Sequence, residues 1–198
     1  MKKILILIPF VLIFSFSCAK KLTEQGVRKY IYSKYSNYSK EDIKIEKIDN
    51  FYFVYTTENL KLDLYKVSDK IELVNTFEFD DGLFNKILNI SLSNIAENEN
   101  PELIIELWND GGQSYSRIDV IVFSDITNKN AKKVFEITKE EFSSGVNEND
   151  ELESDIIHQL EIEFKNNSII ASGIYNREKN QKLTFIWSDK ENKFIKTK

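Results

Sequence analysis

Alternation of apolar and polar residues is the feature that most constrains how this chain folds. It recurs in short runs over residues 43–195. A period of two is typical of strands that bury one face of a sheet. The clearest runs place apolar side chains at Leu60, Leu62 and Leu64, at Ile71 and Leu73, at Ile162 and Phe164, and at Leu183, Phe185 and Trp187. Residue types that favour tight turns separate such runs, as at 166–167, 177–180 and 189–192. The pattern predicts hairpins in sequence order, and so an antiparallel meander or sandwich-like sheet.

A helical pattern occurs once, near the start. Over residues 23–35, Val27, Tyr30, Ile31 and Tyr35 fall at helical spacing, and Thr23 can cap the first turn. We therefore predict a mainly β protein with one short N-terminal helix. The tyrosines of residues 30–38 are interpreted as core packing of one helix face, with Tyr32 alone off the stripe. The residues expected in the common core are Leu62, Leu64, Ile105, Val120, Phe164 and Phe185.

The first 17 residues have the layout of an export signal. Lys2 and Lys3 precede an apolar stretch over residues 4–14, and small residues follow. About 11 apolar residues reach only about 17 Å as a helix, against a hydrocarbon core of about 30 Å. The segment is therefore predicted to be a signal peptide, not a transmembrane helix.

Cys18 follows this signal directly. A small residue, Ser17, precedes it and Ala19 follows it. This arrangement resembles a relaxed form of the lipobox of bacterial lipoproteins, with Ser15 and Phe16 at the two places where that family prefers Leu and a small residue. The resemblance implies cleavage before Cys18 and acylation of its thiol. Because Cys18 is the only cysteine, it has no intramolecular disulfide partner, which agrees with a lipidated residue.

The expected organisation is therefore a signal peptide over residues 1–17, a lipidated anchor and tether over 18–22, and a single mainly β domain over 23–198. Removal of the signal takes away two lysines and no acids, which changes the formal charge from −5 to −7. An acidic chain repels phosphate backbones, so nucleic acid is not an expected partner. About 180 residues are ample for one packed core and thin for two.

Residues 87–123 contain a run of strand-like residues, a polar loop, Pro-Glu-Leu at 101–103, and Gly111 and Gly112. This segment resembles a degenerate single unit of the FG-GAP or VCBS-like repeats, in which a calcium-binding loop leads into such a strand. Repeats of that family usually form propellers with four strands in each blade. The chain has about ten strand-like runs, whereas a four-bladed propeller needs about sixteen. A complete propeller is not expected.

The resemblance implies calcium ligands in the loop at 94–102. Carried over by position, the ligands fall on Asn94, Ala96, Asn98 and Glu102, with the turn glycine on Glu99. Ala96 has no side-chain oxygen, and amides replace two carboxylates. Loss of charge weakens calcium binding, and loss of the glycine disfavours the sharp turn. We therefore predict no metal site or cofactor, and only a remnant of the loop at Asn94, Asn98 and Glu102.

No catalytic motif is present in the sequence. His158 is the only histidine, and it is interpreted as a surface or strand-end residue. Nucleophile elbows, zinc-binding helices and phosphate loops are absent. Residues 143–155 contain five acidic residues and are predicted to form a surface loop. Gly111 and Gly112 are read as a hairpin tip.

The expected function is a non-enzymatic binding or structural module, anchored to a membrane of the cell envelope through lipid on Cys18. The expected partner is an envelope protein or a glycan. Trp108, Tyr115 and Trp187 are candidates for a recognition surface, although burial is at least as consistent with the tryptophans. The alternative is a small envelope hydrolase or an inhibitor of one, in which acids converge in a pocket.

Overall fold

The structure is a computed structural model that describes residues 22–56, 60–79, 86–97, 100–112, 114–129, 131–146 and 152–197. It is mainly β, with two antiparallel sheets and one helix, and the described residues form no closed barrel or propeller. This confirms the predicted fold class. The signal segment, Cys18, the tether up to residue 21, and Asn98 lie outside the described residues.

The N-terminal part is a helix followed by a four-stranded meander. Helix α1 spans Glu24–Lys34, and the Thr23 hydroxyl accepts the Gly26 backbone N–H at 3.2 Å as its N-cap. The strands pair in sequence order, and their bounds are β1 Ile43–Ile48, β2 Phe51–Thr56, β3 Lys61–Val67 and β4 Ile71–Glu78. The helix predicted over residues 23–35 is thereby confirmed.

The second sheet is an eight-stranded meander in the order β12 to β5. Its strands are β5 Lys86–Ser93, β6 Glu102–Asp110, β7 Tyr115–Ser124, β8 Lys132–Val146, β9 Leu152–Lys165, β10 Ser168–Tyr175, β11 Glu178–Ser188 and β12 Lys193–Lys196. Residues 143–146 and 152–155 belong to β8 and β9, so the prediction of a surface loop over 143–155 was wrong at both of its ends, and residues 147–151 lie outside the described residues. Strand β8 pairs with β7 on one side and with β9 on the other. This pairing extends the β8–β9 hairpin into a segment whose composition is polar.

Helix α1 covers one face of the four-stranded sheet. Val27 and Ile31 are buried there among Tyr52, Val54 and Tyr65. Tyr65 and Asp63 were expected on the polar side of β3, yet both are buried, because the helix closes the face that the alternation marked as solvent-exposed. The Tyr35 hydroxyl donates to Asp63, and the Thr76 hydroxyl donates to the same carboxylate at 2.6 Å.

The opposite face of the four-stranded sheet packs on the eight-stranded sheet. Phe53, Leu62 and Leu64 meet Leu103 and Ile105 in one apolar cluster, and all five are fully buried. Between the sheets, Phe77 and Phe123 are in edge-to-face contact at 5.0 Å. This cluster joins the two sheets through side chains and not through a shared hydrogen-bonded strand.

A third cluster forms because the eight-stranded sheet curls. Phe135 of β8 contacts Phe185 of β11 at 4.8 Å and Phe194 of β12 at 6.2 Å, although three strands separate β8 from β12 in the sheet. Val120 lies in this cluster, whereas its neighbour Ile121 lies in the cluster between the sheets. Strand β7 therefore buries both of its faces.

The observed exposure of individual side chains differs from the prediction at several positions. Leu62, Leu64, Ile105 and Val120 are buried as predicted, whereas Phe164 and Phe185 are only partly buried at the edge of the third cluster. Leu73 is 49% exposed, because no element covers its side of β4. Among the tyrosines, Tyr30 is 37% exposed, and Tyr32 packs partly against the helix core.

Candidate functional site

A cleft opens where the curl of the eight-stranded sheet leaves the third cluster uncovered. Its volume is ≈ 840 Å³, within the range of about 300–1,000 Å³ that is usual for ligand sites. Five apolar side chains line it: Val120, Leu160, Ile162, Phe164 and Ile174. The cleft is thus continuous with the hydrophobic core, and the exposed part of Phe164 forms part of the cleft wall.

An ion pair lines the same cleft. The Lys139 ammonium donates to both carboxylate oxygens of Glu106 at 3.3 Å, and both side chains are about a quarter exposed. Lys139 is the extra residue where β8 shifts register against β7. Gln159 and Gln181 add amide donors and acceptors, and the lining also includes Glu140, Glu161 and Lys182. The cleft therefore combines an apolar wall with charged and amide groups that can orient a ligand.

Gly173 shapes the cleft wall on β10. Its φ is +142°, and a Cβ at this position meets the backbone oxygen of Gln159 at 2.2 Å. The pairing of β10 with β11 is irregular between Gly173 and Tyr175. Glycine is therefore required both by backbone conformation and by the close approach of β9.

A row of buried and partly buried polar side chains crosses the same sheet on its other face. Arg117, Glu141 and His158 are successive cross-strand partners on β7, β8 and β9. Glu140 and Gln159, the sequence neighbours of Glu141 and His158, line the cleft. Because successive residues of a strand point to opposite faces, the row lies on the face of the sheet opposite the cleft.

His158 lies in the middle of β9 and is 8% exposed, so its interpretation as a surface or strand-end residue was wrong. Its Nδ1 accepts the backbone N–H of Asn176 at 3.3 Å, and its Nε2 lies 3.4 Å from a Glu141 carboxylate oxygen. Burial lowers the pKa of His158, and the Glu141 charge opposes this shift. With both nitrogens engaged, the imidazole is built into the sheet and is not presented as a general base.

Asp119 and Arg117 complete the row. Asp119 has no exposed surface, and Arg117 holds it through Nε at 2.9 Å and Nη2 at 2.8 Å. The carboxylate raises the pKa of Arg117 further above its usual range. The ion pair offsets the cost of burying the Asp119 charge, but only the Nε–Oδ1 contact is a hydrogen bond, and Asp119 Oδ2 has no hydrogen-bond partner among the described residues.

In the loop at 94–102, which resembles a calcium-binding loop, the Glu102 carboxylate accepts hydrogen bonds from the backbone. Glu102 is 1% exposed and accepts the backbone N–H groups of Ile95 and Ala96 at 2.7 and 3.4 Å. Asn94 is exposed, and Asn98 lies outside the described residues. Among the residues that the structure describes, no three His, Cys, Asp or Glu side chains are grouped to hold a metal ion. The Glu102 carboxylate serves as a backbone acceptor that shapes the turn.

The three aromatic candidates for recognition are engaged within the fold. Trp108 donates through Nε1 to the Ser116 hydroxyl at 2.9 Å, and Trp187 packs edge-to-face on Phe194 at 5.1 Å. The Tyr115 hydroxyl donates to Glu141 at 3.4 Å. None of the three lines the cleft.

No known family model matches the chain, and neither curated proteins nor solved structures show significant similarity to it. Within the described part of the chain, no helix is both long enough and apolar enough to cross a membrane. The cleft itself was not anticipated from the sequence. Glu106 and Lys139 are 33 positions apart, and the pairing of β6, β7 and β8 brings them together.

Proposed function

We propose that the chain is an exported lipoprotein, anchored to a membrane through lipid on Cys18, and that its β domain is a binding module without catalytic activity. The observation that supports binding is the cleft, which combines an apolar wall with the Glu106–Lys139 pair. The support for anchoring is the signal layout and the relaxed lipobox. The partner proposed for the cleft is a segment of an envelope protein or a glycan.

The absence of catalysis is proposed from how the buried ionisable groups are used. His158 has both nitrogens engaged, and Asp119 is paired with Arg117. The cleft is lined by three acids, Glu106, Glu140 and Glu161, and Lys139 pairs with Glu106 at 3.3 Å. The Glu106–Lys139 pair suits recognition of a polar group.

Anchoring is tested by replacing the cysteine. Cells that express the parent or Cys18→Ser are fed labelled fatty acid, and the protein is isolated and its label measured. We expect label in the parent alone, and a Cys18→Ser protein that is uncleaved or released from the membrane. Label that still enters Cys18→Ser contradicts the proposal.

Binding is tested by photocrosslinking in the native envelope. A photoreactive residue is placed at Gln181, in the cleft, and in a control protein at Lys190, on the exposed β11–β12 turn. We expect a discrete adduct from position 181 that is absent at position 190. Lys139→Ala should reduce this adduct, since it removes the ammonium from the cleft. Equal adducts at both positions, or none at 181, contradict binding in the cleft.

A further inference from the structure

Charge is strongly segregated along the mature chain. Residues 18–47 contain eight basic and four acidic residues, whereas residues 48–198 contain 17 basic and 28 acidic residues. The first segment therefore carries a net +4 and the rest a net −11. The positive segment contains the tether, helix α1 and strand β1, so the basic end of the molecule is the end that follows the proposed lipid.

Helix α1 presents much of this charge in one direction. Val27 and Ile31 hold one side of the helix against the four-stranded sheet, so the other side faces outward. We define the helix outer face by the residues around a shallow groove on that side: Glu24, Gln25, Arg28, Lys29, Tyr32, Ser33 and Lys40. Its one acid, Glu24, is paired with Arg28 at 3.1 Å and with Lys47 at 3.2 Å.

Two tyrosines accompany the basic side chains. The Lys40 ammonium lies 5.7 Å from the ring centroid of Tyr32, and the Lys34 ammonium lies 5.2 Å from that of Tyr30. Tyrosine and lysine together suit the boundary of a bilayer, because the ring tolerates the apolar side and the ammonium reaches phosphate. The Lys40–Tyr32 pair belongs to the helix outer face, whereas Lys34 and Tyr30 lie outside it on the same helix.

The proposed anchor lies close in sequence to this face. Six residue steps separate Cys18 from Glu24, which span at most about 20 Å even when fully extended. The same short stretch adds Lys20 and Lys21. A cluster of four to eight basic residues beside a membrane anchor attracts anionic lipid.

We propose that the helix outer face docks on anionic phospholipid headgroups of the membrane that holds the Cys18 lipid. This inference rests on the proposed anchoring and adds to it an orientation of the domain relative to the membrane. Docking places the basic segment of the chain, and not its acidic remainder, against the anionic surface. The membrane is preferred over an acidic protein partner, because the tether keeps the helix near headgroups at all times.

The test follows a fluorophore on the helix outer face. Mature lipidated protein carrying Ser33→Cys is labelled at that thiol, which is the only free one, since Cys18 is the only natural cysteine and is acylated. The protein is added to vesicles of phosphatidylcholine alone or with about 30% phosphatidylglycerol. Emission of the label and its quenching by headgroup-attached quenchers report docking. Flotation with the neutral vesicles separately reports the anchor.

Two variants with equal loss of charge supply the comparison. The test variant changes helix-side lysines to glutamine: Lys29→Gln, Lys34→Gln and Lys40→Gln. The control variant changes exposed lysines of the acidic remainder: Lys129→Gln, Lys179→Gln and Lys190→Gln. Each basic residue near an anionic surface contributes about fivefold, so the test variant should weaken docking about 100-fold at low salt.

We expect the label to respond to anionic vesicles only, to lose its response in the test variant and at about 0.5 M salt, and to keep it in the control variant. An equal response to neutral vesicles, or equal losses in both variants, overturns the proposal. A label that responds to an added polyanionic protein but not to anionic vesicles also overturns it, and assigns the face to an acidic protein. If flotation with neutral vesicles fails while the anionic response persists, the anchor is wrong and the docking face stands.

Discussion

Gly173 shows how a single residue supports the candidate cleft. Because its φ is +142° and a Cβ meets the Gln159 oxygen at 2.2 Å, Gly173→Ala strains the backbone and pushes β9 and β10 apart. We expect a loss of about 1–3 kcal/mol in the free energy of unfolding, measured by urea denaturation. Gly145→Ala is the matched control, since a Cβ there meets nothing within 4 Å. Similar effects of both substitutions contradict this account of Gly173.

His158 makes stability depend on pH in a defined direction. Its folded pKa is lowered by burial, so between that value and the ordinary value of about 6.5 the unfolded chain binds a proton that the folded chain does not. The contribution of the neutral imidazole is fully present above about pH 7 and is lost as the pH falls toward 5.

The matched variant is His158→Asn, whose side-chain oxygen can replace Nδ1 as the acceptor for the Asn176 N–H. Urea midpoints of parent and variant are compared between pH 8 and pH 5. The advantage of the parent over the variant should shrink on acidification. An advantage that grows instead means that an imidazolium paired with Glu141 forms in the folded state.

At the scale of elements, the turn between β5 and β6 is stabilised by a side chain and not by a metal ion. Glu102 accepts two backbone N–H groups, so its carboxylate is already used. Calcium at about 1 mM should leave the melting temperature unchanged, whereas a site filled at about 100 times its dissociation constant adds about 2.7 kcal/mol. Glu102→Gln, measured without calcium, should cost about 1–3 kcal/mol, because buried donors lose a charged acceptor. A shift of several degrees with calcium shows a real site.

At the scale of the molecule, the apolar cluster between the sheets should make them unfold together. Phe53 lies in the four-stranded sheet and is fully buried, whereas both tryptophans lie in the eight-stranded sheet. Phe53→Ala should cost about 3–5 kcal/mol and shift the midpoint of tryptophan fluorescence together with that of far-ultraviolet circular dichroism. Leu73→Ala, on an uncovered surface, is the control and should have little effect. Two separate transitions contradict a shared core.

Periodicity in the sequence predicted the helix, the strand character and the hairpin order of most elements, but it missed the strand ends at 143–146 and 152–155. The helix at Glu24–Lys34 and the antiparallel meanders follow from local patterns, because strand alternation, helix spacing and turn residues act over a few positions. The start of a strand at Glu102, directly after Pro101, was likewise predictable from the sequence. The proposed signal and Cys18 are properties of the sequence alone.

Only the tertiary structure decided which faces are covered and which side chains meet. Asp63 and Tyr65 are buried because a helix lies over β3, and His158 is buried because neighbouring strands enclose it. Phe164 lines a cleft instead of a core, since the sheet curls past it. Glu106 meets Lys139 across β7 because three strands pair side by side. Coverage and register depend on contacts between distant parts of the chain, and a local pattern carries no information about them.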